Sequence, residues 1–339
     1  MRFTIAGQVV EGSELFRRVF EGGAAERYHP NFVKFYGGLT RPGPLAAHVR
    51  HVRSLFGLAR CDVAGKMILD VGCGYGVSAI LLALLGAGEA HGVDCQARAL
   101  ETLRGILDAL PVSLPVYPAL ADAAELPYAD GRFDALLAVE ALSHFRRVDD
   151  FLAEAARVLR PQGVLIISDA NNGANWRRAY RTHRIWEAFE NGPPTDNCYG
   201  HMVRRTFRQR RREIIAEAFP GLSEEELDFL SRGTSGLWRP EIVEAVQRYV
   251  DTGERPQRFY RRGTCPLDPT IGHYAENLFQ PLALRRRIES HGFRAGVFSH
   301  FGGARGGLVA WVNCILSWEP LTPLSIRLAR GFIIVARRL

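Results

Sequence analysis

The 339-residue chain is 47% hydrophobic and 23% charged, a composition that supports a substantial core and excludes a largely disordered chain. No apolar stretch reaches the roughly 18–20 residues that span a bilayer, residues 1–16 lack a secretory apolar segment, and the six cysteines are scattered without a CxxC pair; a reduced cytoplasm is expected. The net charge of +7 divides into +4 over residues 1–65, −6 over 66–170, +2 over 171–280 and +7 over 281–339, so no continuous basic domain for nucleic acid emerges.

The aromatic segment 28–40, with Tyr28, His29, Phe32, Phe35 and Tyr36, precedes a helix predicted over 45–59. From residue 66 strand-like and helix-like signals alternate. Strands are predicted at 66–71, 90–93, 114–119, 133–139 and 164–168, with helices at 77–85, 98–110 and 149–159 between them and Pro161-Gln-Gly163 as the stop of the last helix. This spacing favours a parallel sheet covered on both faces. Residues 170–280 are rich in Arg, Pro and aromatics and read as helices at 176–190, 207–219, 224–232 and 241–250 without a strong strand. The alternation resumes with a helix near 282–291 and strands at 293–299 and 331–337. The expected organisation is an N-terminal helical segment over 1–65, a sheet domain from 66–170 and 281–339, and a helical cap inserted at 171–280.

Asp70-Val-Gly72-Cys-Gly74-Tyr-Gly76 joins the first of these strands to a helix. Glycines there allow a sharp turn and close backbone approach to a ligand. The third glycine comes one residue early for a dinucleotide fingerprint, and no Gly-Lys-Ser/Thr phosphate loop is present. Asp94 ends the second strand, where a carboxylate accepts from both hydroxyls of a ribose. Asp122 follows the third, where it accepts from an adenine amino group. Either acid alone reads equally as a solvated loop residue; three signals in order at successive strand ends do not.

These segments, with Gly92-Val-Asp94, Leu126-Pro127, Phe133-Asp134 and Leu159-Arg-Pro-Gln-Gly-Val-Leu165, resemble the class I S-adenosylmethionine-dependent methyltransferases over roughly residues 65–170. The resemblance implies a doubly wound, seven-stranded, mostly parallel Rossmann-like sheet and S-adenosylmethionine as cofactor. It implies that Asp70, Gly72 and Gly74 hold the methionine portion, Asp94 the ribose and Asp122 the adenine. Cys95, Gln96 and Ala123 flank the adenosine in this reading, and Glu140 faces cofactor and substrate. Leading segments in this family fold over the cofactor, which makes Tyr36 a lid residue; the plain alternative is a segment packed on the sheet.

A sulfonium methyl is already electrophilic, so the enzyme mainly aligns a nucleophile and excludes water, and a hydroxyl acceptor gains from a general base. His144, on the loop after the fourth strand, is the candidate base and acceptor contact. Tyr199 and His201 are candidate acceptor contacts in a loop-like stretch that also holds Asp196, and His183 and His273 are weaker candidates. No residues stand at metal-ligand spacing, so no metal is expected. The six arginines between Arg204 and Arg212 read either as a grip on an anionic acceptor or as a solvated helix face balanced by glutamates; the second is favoured. The aromatic stretch 311–318 reads as packing on the core or as a subunit contact of a homodimer, in preference to a membrane-surface segment. The leading function is methylation of a small molecule, most readily at oxygen. The alternatives are N- or C-methylation, an RNA or protein acceptor, or a cofactor-binding protein without transfer.

Overall fold

The computed structural model describes residues 1–339 except 6, 22–23, 194–202, 302–310, 312–314 and 317. The chain divides into two compact units, one of residues 1–142, 147–170 and 280–339, the other of residues 143–146 and 171–279.

The first unit opens with an antiparallel pair, β1 (Arg2–Ile5) and β2 (Gln8–Glu11), followed by α1 (Gly12–Val19), α2 (Ala24–Arg27), α3 (Pro30–Tyr36) and α4 (Pro42–Leu58). The segment before residue 66 is therefore not wholly helical. Its strands are four residues each, too short for alternation to register in the sequence. Leu45, Val49, Val52, Leu55 and Phe56 form the buried stripe of α4 at helical spacing. With Phe16 and Phe32 they join the same apolar core as Ile80 and Leu103 beside the sheet. The aromatic segment packs too: Tyr28 is buried and its hydroxyl donates to Gly105 O at 3.2 Å.

Strands β3 (Met67–Val71), β4 (Glu89–Asp94), β5 (Val116–Leu120), β6 (Phe133–Val139) and β7 (Leu159–Asp169) alternate with α5 (Val77–Leu84), α6 (Ala97–Ala109) and α7 (Val148–Val158). After α12 (Pro281–Glu289; α8–α11 lie in the second unit) come β8 (Phe293–His300), α13 (Thr322–Ser325) and β9 (Gly331–Arg338). The seven strands lie in the order β5-β4-β3-β6-β7-β9-β8, all parallel except β9. The expected doubly wound sheet is present, and its central strands are near-continuous apolar runs because both faces are covered. One boundary differs: α7 ends at Val158, and Leu159 already pairs with Phe133 of β6. Ladder pairing ends the helix before Pro161 is reached, and Gln162, at φ +64°, marks an irregularity inside the strand.

The second unit is helical: α8 (Trp176–Glu190), α9 (Phe207–Ala218), α10 (Glu224–Gly233) and α11 (Arg239–Thr252). Asn175 caps α8, and capping boxes Thr206/Gln209 and Ser223/Glu226 start α9 and α10. Ile214, Ile215, Leu227, Leu230, Leu237, Ile242 and Val246 form its core. Among the described residues, no helix is long and apolar enough to cross a membrane.

Candidate functional site

The chain lays β3, β4 and β5 outward in one direction, then crosses back to β6 and β7, so strand order reverses between β3 and β6. Open α/β sheets take ligands at the carboxyl ends of strands beside such a reversal. Asp70, near that end of β3, pairs in register with Gly92 of β4 and Leu137 of β6. It is buried, and its Oδ2 has no hydrogen-bond partner. Burial, reinforced by the nearby Asp94 carboxylate, pushes the Asp70 carboxyl up to about 7; the Ala79 backbone amide opposes this more weakly. Among the described residues, no lysine or arginine is ion-paired with it. A carboxyl group held this way gains most from a cationic ligand.

The bend after β3 is tied to β4, because the N–H groups of Gly72 and Cys73 donate to Val93 O at 2.8 and 3.0 Å. A Cβ on Gly76 would lie 2.4 Å from Leu103 Cδ1 of α6, which explains the early third glycine: it serves helix packing. At Gly74 the backbone is left-handed (φ +53°), and nothing lies within 4 Å of where a Cβ would point, so the bend stays open for a ligand. The Gly74 N–H donates to Asp94 Oδ2 at 2.8 Å and the Gln96 N–H to Oδ1 at 2.9 Å. Each oxygen retains acceptor capacity, so the anchored carboxylate is set to receive both hydroxyls of a diol.

Cys95 links the two loop acids. Desolvation, followed by the Asp94 and Asp122 carboxylates, pushes its thiol up to about 12. Asp122 is exposed beyond β5, with Oδ1 accepting from Ala124 N at 2.9 Å and Oδ2 from Arg147 at 3.2 Å; Ala123 lies in the turn between. The Leu126-Pro127 loop is fastened to α7, since Leu126 N donates to Glu154 Oε2 and Leu126 O accepts from Arg157. Asp134 serves the fold, accepting from Met67 N at 2.8 Å. Glu140 follows β6 with φ +51°; its N–H donates to Ser168 O, and its carboxylate accepts from Ala170 N at 3.2 Å. Tyr36 closes the group: burial, then the Asp70 and Glu140 carboxylates, push its hydroxyl upward. Tyr36, Asp70, the glycine bend, Asp94, Cys95 and Glu140 thus share one rim of the first unit, with Asp122 reached through Cys95.

The same rim holds a group the sequence reading passed over. His48 packs against Tyr36 with the rings tilted and their centroids 5.9 Å apart, and the His51 ring of α4 lies 5.6 Å from that of His300 at the carboxyl end of β8. Burial, with His300 and His48 adding to it, holds His51 down to about 4, and burial lowers His48 and His300 as well. The trio is neutral at neutral pH. About 250 residues separate α4 from His300, and no local spacing signals their meeting.

His144 lies in the second unit. Its Nδ1 is 2.9 Å from Tyr274 O; a carbonyl only accepts, so Nδ1 carries a proton, and in the neutral ring Nε2 is the acceptor nitrogen. His183 packs against Trp186, and His273 O accepts from Asp268 N. Tyr199, His201 and Asp196 lie outside the described residues. The arginine run is neither a free cationic grip nor simply a solvated face. Arg205, Arg208, Arg210 and Arg212 pair with Glu213, Asp228, Asp268 and Glu224, while Arg211 is fully buried against Glu190. In the aromatic stretch 311–318, Trp311 and Trp318 are exposed and so do not pack on the core of this chain, while residues 312–314 and 317 lie outside the described residues. Among the described residues, no three His, Cys, Asp or Glu side chains converge as metal ligands.

A doubly wound sheet with this acid–glycine–acid rim is an α/β domain whose Asp94 suits a diol and whose buried Asp70 suits a cation. Residues 69–167 match the family model described as a methyltransferase domain. The matched segment, which carries Asp70 and Asp94 and their neighbours, is similar to class I S-adenosylmethionine-dependent methyltransferase domains. The chain is 36% identical over 161 residues to methyltransferase GfsG of Streptomyces halstedii, covering 47% of this chain and 55% of that protein. It is 36% identical over 125 residues to a fatty-acid O-methyltransferase of Mycolicibacterium smegmatis, covering 36% and 44%. It is 29% identical over 218 residues to phthiotriol/phenolphthiotriol dimycocerosates methyltransferase 1 of Mycobacterium ulcerans, covering 59% and 68%. The chain spans about half the length of the first two relatives.

Proposed function

We propose that this chain is an S-adenosylmethionine-dependent methyltransferase acting on a hydroxyl of a small molecule. The observation that carries the reading is Asp70, a buried carboxyl group with an unpartnered oxygen beside Asp94 at the strand-order reversal. When bound, the cofactor supplies an electrophilic sulfonium methyl. Asp70 and the Gly72–Gly74 bend hold its methionine end, with Tyr36 and Glu140 alongside. Asp94 accepts from the ribose hydroxyls, and Cys95, Gln96, Asp122 and Ala123 border the adenine. The oxygen preference draws on relatives named as O-methyltransferases, among them the fatty-acid enzyme and O-methyltransferase cnsE of Penicillium expansum.

His144 is the proposed general base, with Nε2 taking the acceptor's proton as the oxygen gains the methyl; its fixed tautomer supports that role. Residues 171–280, including Tyr199 and His201, supply acceptor selectivity, and the reaction is placed in the cytoplasm. The His51–His300 pair is the second candidate base, favoured by its place on the rim that carries Tyr36.

Incubating the chain with labelled cofactor and an extract of its source organism, then identifying the labelled product, tests the reaction. A labelled small-molecule ether or ester is expected; label confined to RNA or protein overturns the acceptor class. In the same assay His144→Ala lowers turnover by about a hundredfold or more with cofactor affinity unchanged. Unchanged turnover in that variant, with a loss in His300→Gln, transfers the base to the rim trio.

A further inference from the structure

Residues 318–330 in the first unit, which include the short helix α13, turn hydroxyls inward and two leucines outward. Thr322 and Ser325 face inward: the Thr322 hydroxyl donates to Val297 O at 2.9 Å, and the Ser325 and Ser299 hydroxyls share a hydrogen bond at 2.7 Å. Ile326 and Ala329 are buried beside them. The outward side carries Leu324 (72% exposed) and Leu328 (71%), one helical turn apart, with Arg327 between them in sequence and Arg330 beyond, both exposed. Trp318, 62% exposed, leads into this helix, its carbonyl accepting from Leu321 N at 2.9 Å, and Ile315 and Trp311 upstream of it in sequence are exposed as well. Hydroxyls are spent on the edge strand β8 while leucines and indoles face outward. A segment arranged for water alone would present the opposite side.

The charges indicate what covers it. Among the described residues, neither Arg327 nor Arg330 is ion-paired. Residues 318–330 contain two arginines, Arg327 and Arg330, and one acid, Glu319. A second copy would bring the same positive charge to the contact, whereas an anionic bilayer offers phosphates to the guanidinium groups and an interface in which indole and leucine side chains are at home. We propose that the surface formed by Trp311, Trp318, Leu324, Arg327, Leu328 and Arg330 docks the chain peripherally on an anionic lipid surface. Ser299, which anchors this segment, precedes His300 at the carboxyl end of β8, and β8 runs parallel to the strands that carry Asp70 and Glu140. Docking therefore sets that edge of the rim at the lipid boundary. The inference does not rest on the proposed reaction.

Flotation of the full chain with vesicles of phosphatidylcholine alone, or with about 30% phosphatidylglycerol, tests it. Binding is expected to the anionic vesicles and to weaken with salt. Leu324→Glu combined with Leu328→Glu should reduce binding by about tenfold or more, and Arg327→Gln combined with Arg330→Gln should remove the preference for anionic lipid. These side chains are exposed, so the variants should keep the wild-type melting transition. A variant that melts earlier is replaced by Trp318→Ala, read for the same loss. Failure of the wild type to float, or equal flotation of all variants, overturns the proposal. So does a dimer in light scattering that dissociates in the leucine variant without vesicle binding, which assigns the surface to a second copy.

Discussion

Asp94→Ala weakens binding of S-adenosylmethionine by about 3 kcal/mol, roughly 150-fold, measured by titration of the cofactor into each protein. The size follows from two charge-assisted hydrogen bonds to the ribose, discounted because such contributions are not fully additive. Part of the loss arises within the protein, since Asp94 also accepts from Gly74 N and Gln96 N and holds the bend to the start of α6. Asp122→Ala should cost clearly less, because that carboxylate is exposed and already shared with Arg147. Unchanged affinity in Asp94→Ala would falsify the ribose assignment.

Arg211→Met destabilises the second unit by about 3–5 kcal/mol in urea unfolding. Arg211 and Glu190 are both buried. Arg211 Nη1 donates to Glu190 Oε2 at 3.1 Å, Nη2 donates to Oε1, and Nε donates to Ser231 O at 2.8 Å. The Ser235 hydroxyl donates to Glu190 Oε1 at 3.1 Å. Truncating the arginine strands a carboxylate away from water, which costs more than the pair contributes when intact. Glu190→Met added to Arg211→Met should therefore recover most of the loss. A single variant as stable as the wild type removes the pair from the account of this unit's stability.

The sheet was legible because strands covered on both faces must be apolar throughout, and the Asp70 bend and Asp94 stand out where such runs stop. Asn175, Thr206 and Ser223 cap α8, α9 and α10 at the starts predicted for those helices. What the sequence concealed depends on tertiary partners. Arg211 stands among six arginines and differs from them only by meeting Glu190, at the far end of α8. His48, His51 and His300 form a group only after β8 comes to rest at the sheet edge. The outward leucines of 324–328 follow from β8 claiming the hydroxyls of Thr322 and Ser325, a choice that periodicity does not report. The β1–β2 pair is too short for alternation to distinguish it from loop.

The central claim is that the cationic end of S-adenosylmethionine lies against Asp70, and proton-coupled calorimetry tests it most directly. With its carboxyl group raised to about 7, Asp70 is protonated in the ligand-free protein below neutrality, and a bound cation favours the ionised form. Binding should therefore release a proton, and affinity should rise as pH increases towards about 7 and level off above it. Titrations from about pH 6 to about pH 8, in two buffers of different ionisation heat, measure that proton. Comparison with Asp70→Asn subtracts the protons that belong to the cofactor's own amino group. The account predicts proton release by the wild type in excess of the variant, together with tighter binding by the wild type above neutrality. No binding heat at any pH, or the same proton exchange in both proteins, contradicts it.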